Sequence, residues 1–326
     1  MERVNDVFEQ SSGIKRALKA ASPPTPSQQK LIEAASAIRL DPDAVERAYM
    51  ARQLVQCTLP HRNPGNVPVW GRKNGNTTLT LQQGYDGVDK PLGYPYGTIP
   101  RLLLFWITTE AVLTKKSRLE LGSSLGKFMR AVGLDPNTGG GKRSDARRLR
   151  EQMGRLFSCR ISFNEQLTNA SDTFEGKRWV NMQITEKGEY WWSPAHPEQG
   201  ALWGSWIELG QTFFEMITAA PVPVDLRALR VLKGSPLALD LYAWMTHRVF
   251  SINRANKFQF IPWDGLMKQI GTEYRDIDEF ARNTKKALRK VETVWRDKLN
   301  IKLQKGGFML YPSPLPISEK LSIKAK

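Results

Sequence analysis

The stretch LDPNTGGGKRSD, residues 134–145, holds the residue types best suited to handling a phosphate: Gly139, Gly140 and Gly141, then Lys142 and Ser144. Glycine-rich loops cradle nucleotide phosphates when they carry the spacing G-x-x-x-x-G-K-[ST] and join a strand to a helix. Here the first glycine of that pattern falls on Pro136, and Arg143 stands where the hydroxyl residue belongs. The segment before it has helical rather than strand periodicity, so the stretch reads as a glycine turn between two helices. Other chemistry is equally thin. His61, His196 and His247 are isolated, with no His-x-His or His-Glu-x-x-His pair. A DNA-nicking enzyme would need a His-bound metal beside a nucleophilic tyrosine, and Tyr94 and Tyr96 sit instead in a Gly-Tyr-Pro-Tyr-Gly turn that reads as structural. Trp191, Trp192, Trp203 and Trp206 could stack on single-stranded bases, but strand-like surroundings favour core between two halves of the chain. No catalytic residue, metal or cofactor is expected, and the chain reads as a non-enzyme.

Charge is the informative quantity. The 326 residues carry 48 Lys plus Arg against 32 Asp plus Glu, a net of +16. Such an excess attracts polyanions and supplies the salt-sensitive part of nucleic-acid affinity. The longest apolar run, Leu102–Ile107, is far short of the ~20 residues that span a bilayer. MERVNDVFEQ at the N-terminus lacks the apolar centre of a signal peptide. Cys57 and Cys159 form neither a metal knuckle nor a disulfide framework. A reduced, cytoplasmic protein without a membrane partner is the expectation.

The charge needs elements to position it. Residues 1–60 read as a helical extension broken at Ser22-Pro23-Pro24-Thr25-Pro26, with Leu31, Ile32, Ala35 and Ile38 at helical spacing and a further helix from Asp41-Pro42 through Ala44, Ala48, Ala51 and Leu54. Thr77–Leu81 reads as a strand. From Pro100 a buried helix carries Leu102, Leu103, Trp106 and Val112. A second spans Ser123–Val132, and a third, capped by Ser144, has Ala146, Leu149, Met153, Leu156 and Phe157 as its apolar stripe. Strands at Ile161–Phe163 and Trp179–Ile184 follow. The order repeats: Val224–Leu232, Ala238–Phe250 and Pro262–Ile270 are helical, and Asp276–Leu299 is the most periodic segment in the chain, with a capping-box spacing of Asp276 and Glu279. Ile301 and Leu303, a Lys305-Gly306-Gly307 turn, then Phe308 and Leu310 make a hairpin. The expected fold is α+β, mainly helical: two tandem winged-helix (helix-turn-helix) domains at 61–210 and 211–326 behind the 1–60 extension.

Both third helices are basic opposite their apolar stripes. Arg282, Asn283, Lys285, Lys286, Arg289, Lys290 and Arg296 share one face of the 276–299 helix. Arg147, Arg148, Arg150 and Arg155 mark the 144–157 helix, with Lys142 and Arg143 just before it. The last helix of a helix-turn-helix enters the major groove, where Arg suits guanine and Asn suits adenine. A solvated helix face explains one such helix; two, each followed by a hairpin, point to DNA. Lys302 and Lys305 at the second hairpin are placed to meet flanking phosphates. Two such helices would occupy successive major grooves of a site of roughly 20 bp.

NGNTTLTLQ (74–82), the long block GYPYGTIPRLLLFWITTEAVLTKKSRLELGSSLGKFMRAVGL from residue 93, TGGGKRSDARRLREQMGRLF (138–157) and LDLYAWMTHRV (239–249) together resemble the RepA-type plasmid replication initiators of bacteria. The resemblance runs through most of residues 74–310 and omits the first ~50 residues and the tail after Tyr311. It implies an initiator that binds repeated sites (iterons) in double-stranded plasmid origin DNA, opens the adjacent AT-rich duplex and engages the host replicative helicase and host initiator protein. It also implies copy-number control through a homodimer that represses its own promoter, with the first winged helix as the dimer contact. A winged-helix transcriptional regulator without a replication role is the alternative reading.

Overall fold

Short polar side chains start most of the helices. The computed structural model describes residues 23–41, 44–138, 141, 144–168, 175–193, 196–200, 204–271 and 273–317. Thr25 opens α1 (Pro26–Leu40) with a reciprocal capping box: Thr25 Oγ1 accepts from the Gln28 amide, and Gln28 Oε1 accepts from the Thr25 amide. Where the alanine spacing after Asp41 predicts another helix, the chain forms strand β1 (Arg47–Ala51) and only a short helix, α2 (Arg52–Gln56). Ala48, Tyr49, Met50 and Ala51 are all buried, so both faces of β1 are covered. A short apolar run of that kind has no period that separates strand from helix.

Strands β2 (Trp70–Asn74) and β3 (Thr77–Gln82) form a hairpin, followed by the small ribbon of β4 (Tyr85–Asp86) and β5 (Lys90–Pro91). Helix α3 (Thr98–Thr114) is buried along most of its length and ends on a left-handed Lys115. Then come β6 (Arg118–Gly122), α4 (Leu125–Ala131, capped by Ser124), α5 (Asp145–Ser158, capped by Ser144) and the long hairpin β7 (Arg160–Thr168) and β8 (Glu175–Gln183). That hairpin pairs through β7 with β3, giving the order β2-β3-β7-β8. Strand β6 pairs instead with β10 (Ser205–Leu209), which also pairs with β9 (Thr185–Glu189). The tryptophans expected between two halves lie inside this first one. Trp192 stacks on Phe128 of α4 at 5.2 Å between ring centroids, and Trp206 lies beneath the Arg118 guanidinium at 3.9 Å; Trp203 lies outside the described residues.

Helix α6 (Gln211–Ala219) packs on α3, and β11 (Pro221–Asp225) pairs antiparallel with β1, Tyr49 opposite Pro223. The helix expected from Val224 therefore starts later: Asp225 caps α7 (Leu226–Leu232), its Oδ1 accepting from the Arg227 amide at 2.9 Å. The second set follows as α8 (Pro236–Ala255), β12 (Gln259–Pro262), α9 (Trp263–Ile270), α10 (Ile277–Val294), β13 (Ile301–Gln304) and β14 (Gly307–Leu310). Both sets run helix, strand, helix, helix, hairpin. They differ in pairing: β12 pairs with β14 of its own hairpin, whereas β6 leaves its hairpin for β10. One continuous apolar core joins the two sets, and α1 lies against α7 and α10.

Candidate nucleic-acid interface

The orientation of α10 is set by its buried side. Phe280, Ala281, Thr284, Ala287, Leu288, Val291 and Val294 face inward against α8, α9 and α1. Gly271 allows the turn before it to close down: a Cβ there would lie 2.2 Å from the Phe280 ring. Asp276 caps the helix, accepting from the Glu279 amide at 2.7 Å, but the return half of the expected box is displaced. Glu279 Oε2 accepts from the Arg275 amide rather than from Asp276.

With that side fixed, Arg282, Lys285, Lys286, Arg289 and Lys290 are exposed on the opposite face. Among the described residues none of the five is ion-paired, and Lys285 lies 5.8 Å from the Trp263 ring centroid. Asn283 is only half-exposed and its amide donates to Glu279 O within the helix. Arg296 does not belong to this face. The helix ends at Val294 because Trp295 turns into the core, its ring 5.7 Å from Tyr242 and its Nε1 donating to Pro314 O. Arg296 pairs with Asp297 at 2.9 Å. Lys302 and Lys305 are exposed, on β13 and at the turn of the hairpin.

Helix α5 repeats the arrangement with fewer free cations. Ala146, Leu149, Gln152, Met153 and Leu156 are buried; Arg147, Arg148 and Arg150 are exposed, Arg148 being held by Asp145 at 3.1 Å. Arg155 folds back instead, pairing with Glu151 and donating to Tyr94 O, with its guanidinium 5.2 Å from the Tyr96 ring. Lys142 and Arg143 lie outside the described residues. Tyr94 is fully buried and its hydroxyl donates to Val67 O at 2.9 Å, a packing role.

Sequence reading passed over the charges that fix the two helices relative to each other. Arg101 of α3 donates twice to Asp240 of α8, at 2.7 Å each, and also to Leu59 O, Pro60 O and Gly97 O. His61, far from isolated, places Nε2 2.8 Å from Asp240 Oδ2. Arg72 of β2 pairs with Glu273 in the turn before α10. Burial alone would raise the Asp240 carboxyl, but Arg101 and the His61 hydrogen bond together hold it far below the usual carboxylate range. Burial is the largest influence on His61 and lowers its basicity, against the opposing hydrogen bond that its imidazole donates to Asp240. The signal was present: Arg101 in PRLLLFW and Asp240 in LALDLYAW are single charges inside apolar helices. Among the described residues no His, Cys, Asp or Glu cluster could hold a metal, and no helix is long and apolar enough to cross a membrane.

A family model described as plasmid encoded RepA protein matches residues 94–265, more than half of the chain. A crystal structure of domains 2 and 3 of RctB, as its selenomethionine derivative, is similar over 77% of this chain and 93% of its own, at 11% identity and a TM-score of 0.45. A second structure of the RctB domains 2–3 covers 78% of this chain and 94% of its own, at 10% identity and a TM-score of 0.42. No curated protein sequence matches.

Proposed function

The chain belongs to the plasmid-encoded RepA protein family of replication initiators, and on that premise we propose that it binds duplex origin DNA through α5 and α10, acting as the reading helices of two winged-helix units. The observation that carries this reading is the face of α10: five exposed cations, none ion-paired among the described residues, on a helix whose other side is locked in the core. A solvated helix face usually interleaves both signs, whereas Arg282, Lys285, Lys286, Arg289 and Lys290 form a stripe of one sign along two turns. The exposed Arg147, Arg148 and Arg150 of α5 extend the same chemistry to a neighbouring groove. The β13–β14 hairpin follows α10 directly, so Lys302 and Lys305 act as a wing on the flanking backbone.

On this reading the protein does no covalent chemistry. It occupies repeated origin sites, opens adjacent duplex and presents a surface to the host helicase and host initiator, and a homodimer serves as repressor. The test is footprinting on the DNA flanking the protein's own gene, with the triple variant Arg282→Ala, Lys286→Ala, Arg289→Ala beside the parent. A base-reading arginine contributes ~1–3 kcal/mol of specific binding, so protection should disappear in the variant. Undiminished protection by the variant overturns the assignment of α10. Supplying the protein in trans to an origin plasmid then separates initiation from repression alone.

A further inference from the structure

We propose that a cavity on α8, away from the basic face of α10, binds a nucleoside phosphate. The cavity holds about 730 Å³ and lies between α8, β1, β11 and the ends of α3 and α6. That is within the usual range for small-ligand sites, roughly 300–1,000 Å³. Much of its wall is apolar, with Tyr49, Val112, Val222 and Ile317 buried there, and Thr218, Thr246 and Ser251 add hydroxyls. Arg52, Lys115 and Arg254 are exposed around it, and among the described residues none has a carboxylate within ion-pairing distance. No described lining residue is acidic. Three unneutralised cations beside an apolar cavity call for a ligand with both an apolar body and concentrated negative charge.

Phe250 supplies the third feature. Its ring is 37% exposed beside the cavity, with the Arg254 guanidinium 5.8 Å from its centroid. An exposed ring backed by a guanidinium is a stacking platform for a base. His247 is half-buried among the same groups, and burial, followed by Arg248 and Arg52, lowers its basicity. It offers a neutral imidazole for a ribose or base contact rather than a further charge. An added peptide strand fits less well, because β11 carries Pro221 and Pro223 and cannot present a full row of N–H donors. With no carboxylate among the described lining residues to hold a magnesium ion or orient a water, the ligand is bound and not hydrolysed.

The experiment is isothermal titration of the full chain, free of DNA, with ATP, ADP and pyrophosphate. Saturable 1:1 binding of ATP is expected, at least tenfold tighter than pyrophosphate and without phosphate release. Arg52→Ala combined with Arg254→Ala, and separately Phe250→Ala, should each weaken it at least tenfold while origin footprints stay as in the parent. Arg289→Ala should leave ATP binding unchanged. Absence of ATP binding, equal affinity for pyrophosphate, or equal weakening by Arg289→Ala overturns the proposal; the last would put the nucleotide on the DNA-facing cations as a phosphate surrogate. Because footprints are read independently, failure here leaves the DNA-binding reading standing.

Discussion

At the scale of single residues, the buried charges at Arg101, Asp240 and His61 decide how the molecule responds to pH and substitution. Arg101 and Asp240 are almost wholly withdrawn from water, so each depends on the other for its charge. Removing one member of such a pair leaves the other uncompensated, at a cost of about 3–5 kcal/mol. Asp240→Asn should therefore lower stability by that amount in urea unfolding, although shape is nearly kept. The pH dependence has two stages. His61 is less basic in the folded chain than the unfolded value near 6.5, so below that pH the unfolded state takes up the proton preferentially. Stability then falls with acidification, by at most about 1.4 kcal/mol per pH unit for the one proton. Asp240 is more acidic in the fold than out of it; its contribution is full above the unfolded value near 3.9 and lost as pH drops toward the folded one. Thermal melting between pH 8 and 5 should show Tm falling through the first stage, with a shallower slope in His61→Gln. An identical slope in that variant would remove His61 from the account.

At the scale of elements, α10 is where local pattern and tertiary packing agree. Its apolar positions recur with the helical period and are buried from Phe280 to Val294, which is why the helix could be read from spacing alone. Its last turn could not: Trp295 looks like a continuation of the stripe, and only the carbonyl of Pro314 and the ring of Tyr242 explain why the chain leaves the helix there. Strand β1 was hidden for the opposite reason, since burial on both faces removes the alternation that marks a strand. β6 and β10 were hidden because their pairing joins residues far apart in the chain. Leu288 is almost fully buried beneath the basic face. Leu288→Ala should cost about 2–5 kcal/mol, and Asp276→Ala, which removes the cap together with an exposed ion pair to Arg275, about 1 kcal/mol. Equilibrium urea denaturation gives both values. A cap loss as large as the core loss would mean that α10 is held by its first turn rather than by its packing.

At the scale of the whole molecule, the question is whether α5 and α10, the reading helices proposed above, act as one ruler or as two independent hands. The candidate cations were legible because exposure on a helix has the same period as burial, so Arg282, Lys286 and Arg289 stand out opposite Leu288. The joint was not legible, since His61, Arg72, Arg101, Asp240 and Glu273 are scattered along the chain and only the fold gathers them. On the proposed reading, that joint bears on DNA recognition. Arg101 ties α3, which packs against α5, to α8, which packs against α10, and Arg72 reaches the turn that opens α10. A continuous apolar core backs these contacts, so the fold itself sets the spacing of α5 and α10. Two helices on a rigid joint fit half-sites at one separation, about one helical turn of 10–10.5 bp. Inserting about 5 bp between half-sites moves the second groove to the opposite face of the duplex, and inserting about 10 bp restores the face but not the distance. Both insertions should reduce affinity, in gel-shift titration at fixed salt, to that of a single half-site. Recovery with the longer insertion would show that the two units move independently, and the buried charges would then be a source of stability alone.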